Sequence, residues 1–151
     1  MENPVRLAKS EIRNWLEIRG YHCKDIYVID NVIVECRPKI FSKDLNEFEI
    51  EFNHKPSLDG VFFDESGEKN YKYYFNHDNL VKLYSKINAF FDENEISIQL
   101  FIIGIELSVY TYEKLSDVQI KELEEEFNVK CRGYSISCDS NKYTYNFRWE
   151  N

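Results

Sequence analysis

The sequence predicts an α+β fold: a single domain, residues 1–151, in which about three helices pack on a curved, antiparallel-rich sheet. Two local patterns and one bulk property carry that prediction. Apolar residues recur at helical spacing in stretches bounded by capping residues, and elsewhere alternate strictly with polar ones. The chain is 43% hydrophobic and 16% aromatic, with 11 Tyr and 11 Phe. A chain of this length buries roughly 68–70% of its unfolded surface, so a ring-rich core is expected.

The elements follow in order. Asn3-Pro4 has the form of an N-cap and first helical position, after which Val5, Ala8, Ile12, Trp15 and Leu16 recur on one helical side as far as Gly20. Ile26 to Ile29 and Val32 to Cys36 read as two strands joined at Asp30-Asn31, with Pro38 ending the second. A two-residue turn there sets Ile26 opposite Glu35 and Asp25 opposite Cys36, so that Asp25 and Glu35 point to opposite faces. Glu47-Phe48-Glu49-Ile50-Glu51-Phe52 alternates strictly and predicts a strand with three carboxylates on its wet face. A hairpin from Val61 to Asp64 and Tyr71 to Phe75 turns about Gly67.

Asp78 caps a predicted helix whose apolar side is Leu80, Leu83, Tyr84, Ile87, Phe90 and Phe91. Ile96 to Tyr112 reads as strand throughout, but at ~3.3 Å per residue it would be longer than a small domain is wide, so Gly104 must bulge or turn it. Ser116 and Gln119 form a capping box, with Leu115 and Ile120 as its hydrophobic staple, and open a helix whose buried stripe is Ile120, Leu123 and Phe127 and which Asn128 closes. A last hairpin runs from Val129 to Cys138 and Lys142 to Trp149, with Tyr143, Tyr145, Phe147 and Trp149 facing the core. From Tyr71 onward the order β-α-β-β-α-β, residues 71–149, is that of a ferredoxin-like unit, a fold that hosts many functions. No Pro-, Gly- or Ser-rich linker, internal repeat or low-complexity tract is evident, so no domain boundary is drawn.

Charge and motif content narrow the functional classes. The formal net charge is −8, from 27 acidic and 19 basic side chains, a field that repels phosphate backbones and anionic lipid. The densest basic stretch is only Arg37-Pro38-Lys39 with Lys43, so direct nucleic-acid binding is not expected. No basic stretch leads into an apolar one at the N-terminus, and no apolar run approaches the ~18 residues of a membrane span. A cytoplasmic protein with no membrane association is expected, and with it free, buried thiols at Cys23, Cys36, Cys131 and Cys138, whose spacing fits no zinc site. With 5 Gly in the whole chain there is no phosphate-binding glycine loop, and no cofactor or metal is predicted. His22, His54 and His77 complete no nucleophile and base set in sequence, and His77-Asp78 reads as the start of a helix.

Three functional readings follow. The first is a non-catalytic acidic domain, of the bacterial or phage inhibitor and immunity-protein kind, that docks on the basic surface of a protein partner. Its contacts are Glu47, Glu49 and Glu51 on one stripe and Glu122, Glu125 and Glu126 on another. The second comes from the first quarter of the chain, where a helix containing Glu11 precedes a hairpin with Asp25, Asp30 and Glu35-Cys36-Arg37. This arrangement resembles the PD-(D/E)xK nuclease core. The resemblance implies a divalent-metal-dependent nuclease in which Asp25 or Asp30 and Glu35 hold the metal. Arg37 stands where that family has lysine, and a guanidinium rarely gives up a proton. The third reading is a small-ligand or nucleotide binder in which Tyr73, Tyr84, Tyr112 and Tyr143 line an aromatic pocket.

Overall fold

A computed structural model describes residues 3–150 of the chain. The fold is α+β, with four helices and eight strands among the described residues. The chain forms two compact units, Pro4–Val81 and the residues from Lys82 onward, so the boundary falls inside a helix. The first unit comprises α1 (Pro4–Ile18), β1 (His22–Ile29), β2 (Asn31–Arg37), α2 (Ser42–Phe52), β3 (Ser57–Phe63) and β4 (Lys69–Phe75). The next six elements are α3 (Asp78–Glu93), β5 (Ile98–Ile103), β6 (Glu106–Thr111), α4 (Asp117–Phe127), β7 (Val129–Ile136) and β8 (Tyr143–Trp149). Within the first unit the strands lie in the order β1-β2-β4-β3, and within the second β5-β6-β8-β7. Each neighbouring pair inside a unit is antiparallel.

The two units are therefore the same topology twice, α-β-β-α-β-β with strands ordered first, second, fourth, third. Their cores repeat residue by residue. The buried stripe of α1 is Val5, Ala8, Ile12, Trp15 and Leu16, and that of α3 is Leu80, Leu83, Ile87, Phe90 and Phe91, each member 75 residues after its counterpart. The same spacing relates buried Tyr21 to Ile96, Ile40 to Leu115 and Val34 to Val109. Tyr73 and Phe75 of β4 correspond to Tyr145 and Phe147 of β8 at a spacing of 72, because the second helix leads into its strand through Asn128 alone, where the first unit uses residues 53–56. In each unit the tyrosine hydroxyl accepts the buried backbone N–H that precedes the second helix: Ile40 N to Tyr73 at 3.1 Å and Leu115 N to Tyr145 at 2.8 Å. From residue identities alone the sequence predicts no internal repeat. Few identities survive outside one segment, and the shared information lies in which positions are buried.

That segment is where the prediction of a strand fails. Residues 47–52 are the C-terminal half of the helix α2, which raises the count from about three helices to four. Alternating Phe48, Ile50 and Phe52 also contains an i, i+4 pair, and the helix uses that pair. Phe48 is fully buried and Phe52 stacks on it at 4.3 Å, whereas Ile50 is 85% exposed. Trp15 of α1 and Phe75 of β4 close on Phe48 at 5.1 and 5.0 Å. Asn53 then ends α2 in the left-handed region, φ 64°, as Asn128 ends α4 at φ 55°.

Other expectations shift by smaller amounts. Asp30 alone turns the first hairpin, with φ 61°, and Ile29 pairs with Asn31. The register is one residue from the expected one, so Ile26 faces Val34 and Asp25 faces Glu35. An irregularity between Cys23 and Asp25 lets Cys23 still pair with Cys36. Gly104, at φ 59°, is a turn between β5 and β6. The order β-α-β-β-α-β is present over 71–149, but β4 belongs to the first unit, where it lies between β2 and β3. The capping box of α4 is formed as expected. Asp78 is not the cap of α3: the His77 carbonyl accepts from Leu80 and Val81, and its Nδ1 accepts the Asn79 N–H at 3.1 Å.

Candidate functional site

The two predicted carboxylate stripes have different fates. On a helix, Glu47 and Glu51 lie one turn apart on a common side while Glu49 projects roughly 200° away, so the first stripe is dispersed. One of its charges is also offset and a second is hydrogen-bonded. Glu47 stands 3.8 Å from Arg19 and 4.0 Å from Lys43, and Glu51 accepts the Trp15 indole N–H at 2.8 Å. Glu49 is exposed.

The second stripe is intact and larger than expected. Glu122 and, one turn on, Glu125 and Glu126 of α4 border a shallow depression of ≈ 460 Å³, whose other wall is the end of α3: Phe90, Glu93 and Asn94. Glu93 is not among the expected contacts, because nothing in the sequence brings α3 beside α4. Phe90 closes the floor, edge-on to Phe91 at 5.2 Å and to Phe127 at 6.2 Å. The Asn94 amide donates to the Phe90 carbonyl at 2.8 Å. Among the described residues no ion pair involves Glu93, Glu122, Glu125 or Glu126. Four carboxylates thus surround an apolar floor with no cation among them, which concentrates negative potential over a low-dielectric surface.

The residues of the nuclease resemblance are only partly gathered. Asp25 and Glu35 are cross-strand partners, with Lys72 of β4 next in register, which reverses the expectation that Asp25 points away. Asp30 is at the far end of the hairpin, in its turn. Arg37 is held by two carboxylates, Glu68 at 2.7 Å and Asp64 at 3.3 Å. Asp64 is the hub of the β3–β4 loop and accepts from the Ser66 hydroxyl and N–H, the Glu68 N–H and the Asn70 amide. These donors, Ser66 first, hold its carboxyl well below the usual carboxylate range. Among the described residues no three His, Cys, Asp or Glu side chains come together to hold a metal ion.

The four tyrosines of the proposed aromatic pocket are engaged separately. The Tyr73 hydroxyl accepts from Ile40 and that of Tyr84 from the Ile102 N–H at 3.1 Å, both as parts of the packing. Tyr112 is 67% exposed with the Lys142 ammonium 5.5 Å from its ring centroid, and Tyr143 stacks on Tyr145 at 6.3 Å.

Two histidines pair with carboxylates in structural positions. His54 Nε2 lies 2.7 Å from Asp78, and buried His77 Nε2 lies 2.7 Å from Glu11. Because His77 Nδ1 accepts from Asn79, its proton sits on Nε2 and is donated to Glu11. All four cysteines are free, but only Cys23 and Cys36 are buried; Cys131 is half-buried and Cys138 exposed. Burial pushes the Cys36 thiol up to about 12 and the Cys23 thiol to about 11. No helix among the described residues is long and apolar enough to cross a membrane. No protein-family model matches the chain, and neither a curated protein nor a solved structure is significantly similar to it.

Proposed function

We propose that this protein is a non-catalytic protein-binding domain, of the inhibitor or immunity-protein kind found in bacteria and phages, that docks the acidic α3–α4 face on a basic surface of its partner. One observation carries the reading: Glu93, Glu122, Glu125 and Glu126 border the depression floored by Phe90, and none of them is in an ion pair among the described residues. Several acidic side chains elsewhere do stand in ion pairs, among them Glu47, Glu68, Asp64 and Glu106. Unpaired like charges on one helix face cost stability, and complementary charge on a partner recovers that cost while steering the encounter. The wider field of −8 acts in the same direction.

The test is affinity capture from an extract of the source cell, with the wild-type protein and a Glu122→Lys, Glu126→Lys variant as baits. A basic protein should be retained by the wild type at low salt, released as ionic strength rises, and absent from the variant. Retention of the same proteins by both baits would end this reading.

A further inference from the structure

The internal repeat shows what occupies the equivalent notch in the first unit. Between α1 and α2, Trp15 stands where Phe90 does, Glu47 where Glu122 does, Glu51 where Glu126 does and Arg19 where Asn94 does, each at the spacing of 75 residues. Arg19 fills that notch. Its guanidinium carbon lies 3.6 Å from the Trp15 ring centroid, its Nε 3.8 Å from Glu47, and its NH1 donates to the Trp15 carbonyl at 3.1 Å. Glu51 is satisfied separately, by the Trp15 indole.

In the second unit the ring, both carboxylates and the carbonyl are retained, but the groups that satisfied them are gone. Asn94 carries no charge, although its amide still reaches the same carbonyl, that of Phe90. Phe90 has no ring N–H for Glu126. Lys43, the second cation on Glu47, is replaced by Val118. Ile18 and Ile50, exposed beside the first notch, are replaced by Glu93 and Glu125. All five differences remove positive charge or a donor, or add negative charge, at one place.

Resting on the docking reading above, we infer that the α3–α4 notch receives an arginine side chain of the partner, its guanidinium against Phe90 and between Glu122 and Glu126. The first unit supplies such a group in cis; the second leaves it to be supplied in trans. Arginine is favoured over lysine because a planar guanidinium can stack on a ring and donate to two carboxylates from separate N–H groups, which a point ammonium cannot.

The experiment titrates the full-length protein at low salt with two blocked peptides of equal length and charge, one alternating glycine with arginine and the other glycine with lysine. The arginine peptide should bind about fivefold or more tighter, a difference of about 1 kcal/mol. Asn94→Arg should fill the notch as Arg19 fills the first, bringing the arginine peptide down to the affinity of the lysine peptide, while Asn46→Arg, an equal change of charge on exposed α2 surface, retains the preference. Glu126→Gln should lower the preference without adding bulk, which covers the case in which Asn94→Arg misfolds. Equal affinity for the two peptides, or equal effects of Asn94→Arg and Asn46→Arg, would overturn the notch but leave the acidic docking face standing. Absence of binding by either peptide would overturn both.

Discussion

Tyr73 and Tyr145 are core residues whose one polar atom has a defined task. Each hydroxyl accepts a backbone N–H, of Ile40 or Leu115, at the point where the chain leaves a strand and prepares a helix. A buried N–H left without an acceptor costs about 1–3 kcal/mol. Tyr73→Phe and Tyr145→Phe should therefore each lower unfolding stability by about that amount in denaturant titration, with little change in the slope; a neutral result for either would show that the hydroxyl is dispensable. The thiols separate by burial in the same way. At pH 8 a thiol reagent should modify Cys138 and Cys131 in the native protein and reach Cys23 and Cys36 only after denaturation, since their protonated form is held by the packing. The linkage has a definite sign. Both folded values lie above the ordinary thiol value, so this contribution to stability is complete below about pH 8.5 and is lost as pH rises toward the folded values of about 11 and 12. Alkaline unfolding should be less steep once both thiols are replaced by alanine.

At the scale of elements the instructive pair is α2 and α4. Glu47-Phe48-Glu49-Ile50-Glu51-Phe52-Asn53-His54-Lys55 and Glu122-Leu123-Glu124-Glu125-Glu126-Phe127-Asn128-Val129-Lys130 agree at six of nine positions, and both are the end of an eleven-residue helix closed by a left-handed asparagine. Read alone, the first has a period of two and the second, with its capping box, a period of 3.6. Ile50 produces the false alternation, because its apolar side chain lies on the solvent side of the helix. The helix makes a prediction that a strand would not: Ile50→Lys should change stability by less than about 0.5 kcal/mol, whereas Phe48→Ala should cost about 3–5 kcal/mol. Comparable losses in the two variants, measured by thermal unfolding, would restore the strand.

For the whole molecule, net charge matters less than where the pairing stops. The first unit sums to −3 over residues 4–81 and the second to −4 over residues 82–151, so neither is an outlier by count. They differ in arrangement. Arg19 and Lys43 offset Glu47, while no cation among the described residues pairs with the corresponding α4 carboxylates. Two baits with the same total charge should consequently behave differently in partner capture. Glu47→Gln, Glu49→Gln, Glu51→Gln should retain the partner, and Glu122→Gln, Glu125→Gln, Glu126→Gln should lose it. Equal loss from both would assign the attraction to bulk charge, which a single face does not explain.

The sequence by itself determined the α+β class, the apolar stripes of α1 and α3, the capping box at Ser116 and the inward side of β8. Each of these is a local pattern whose periodicity and chemistry act within one element. It also held the repeat, as a spacing of 75 between buried positions that becomes 72 in the last strand, but that becomes legible only when α2 is known to be a helix. Tertiary structure decided the rest. The register that sets Asp25 against Glu35 depends on a left-handed residue at Asp30, and the fate of each glutamate depends on whether a cation from another helix reaches it. A charge is local to its residue, but its neutralisation is a property of packing.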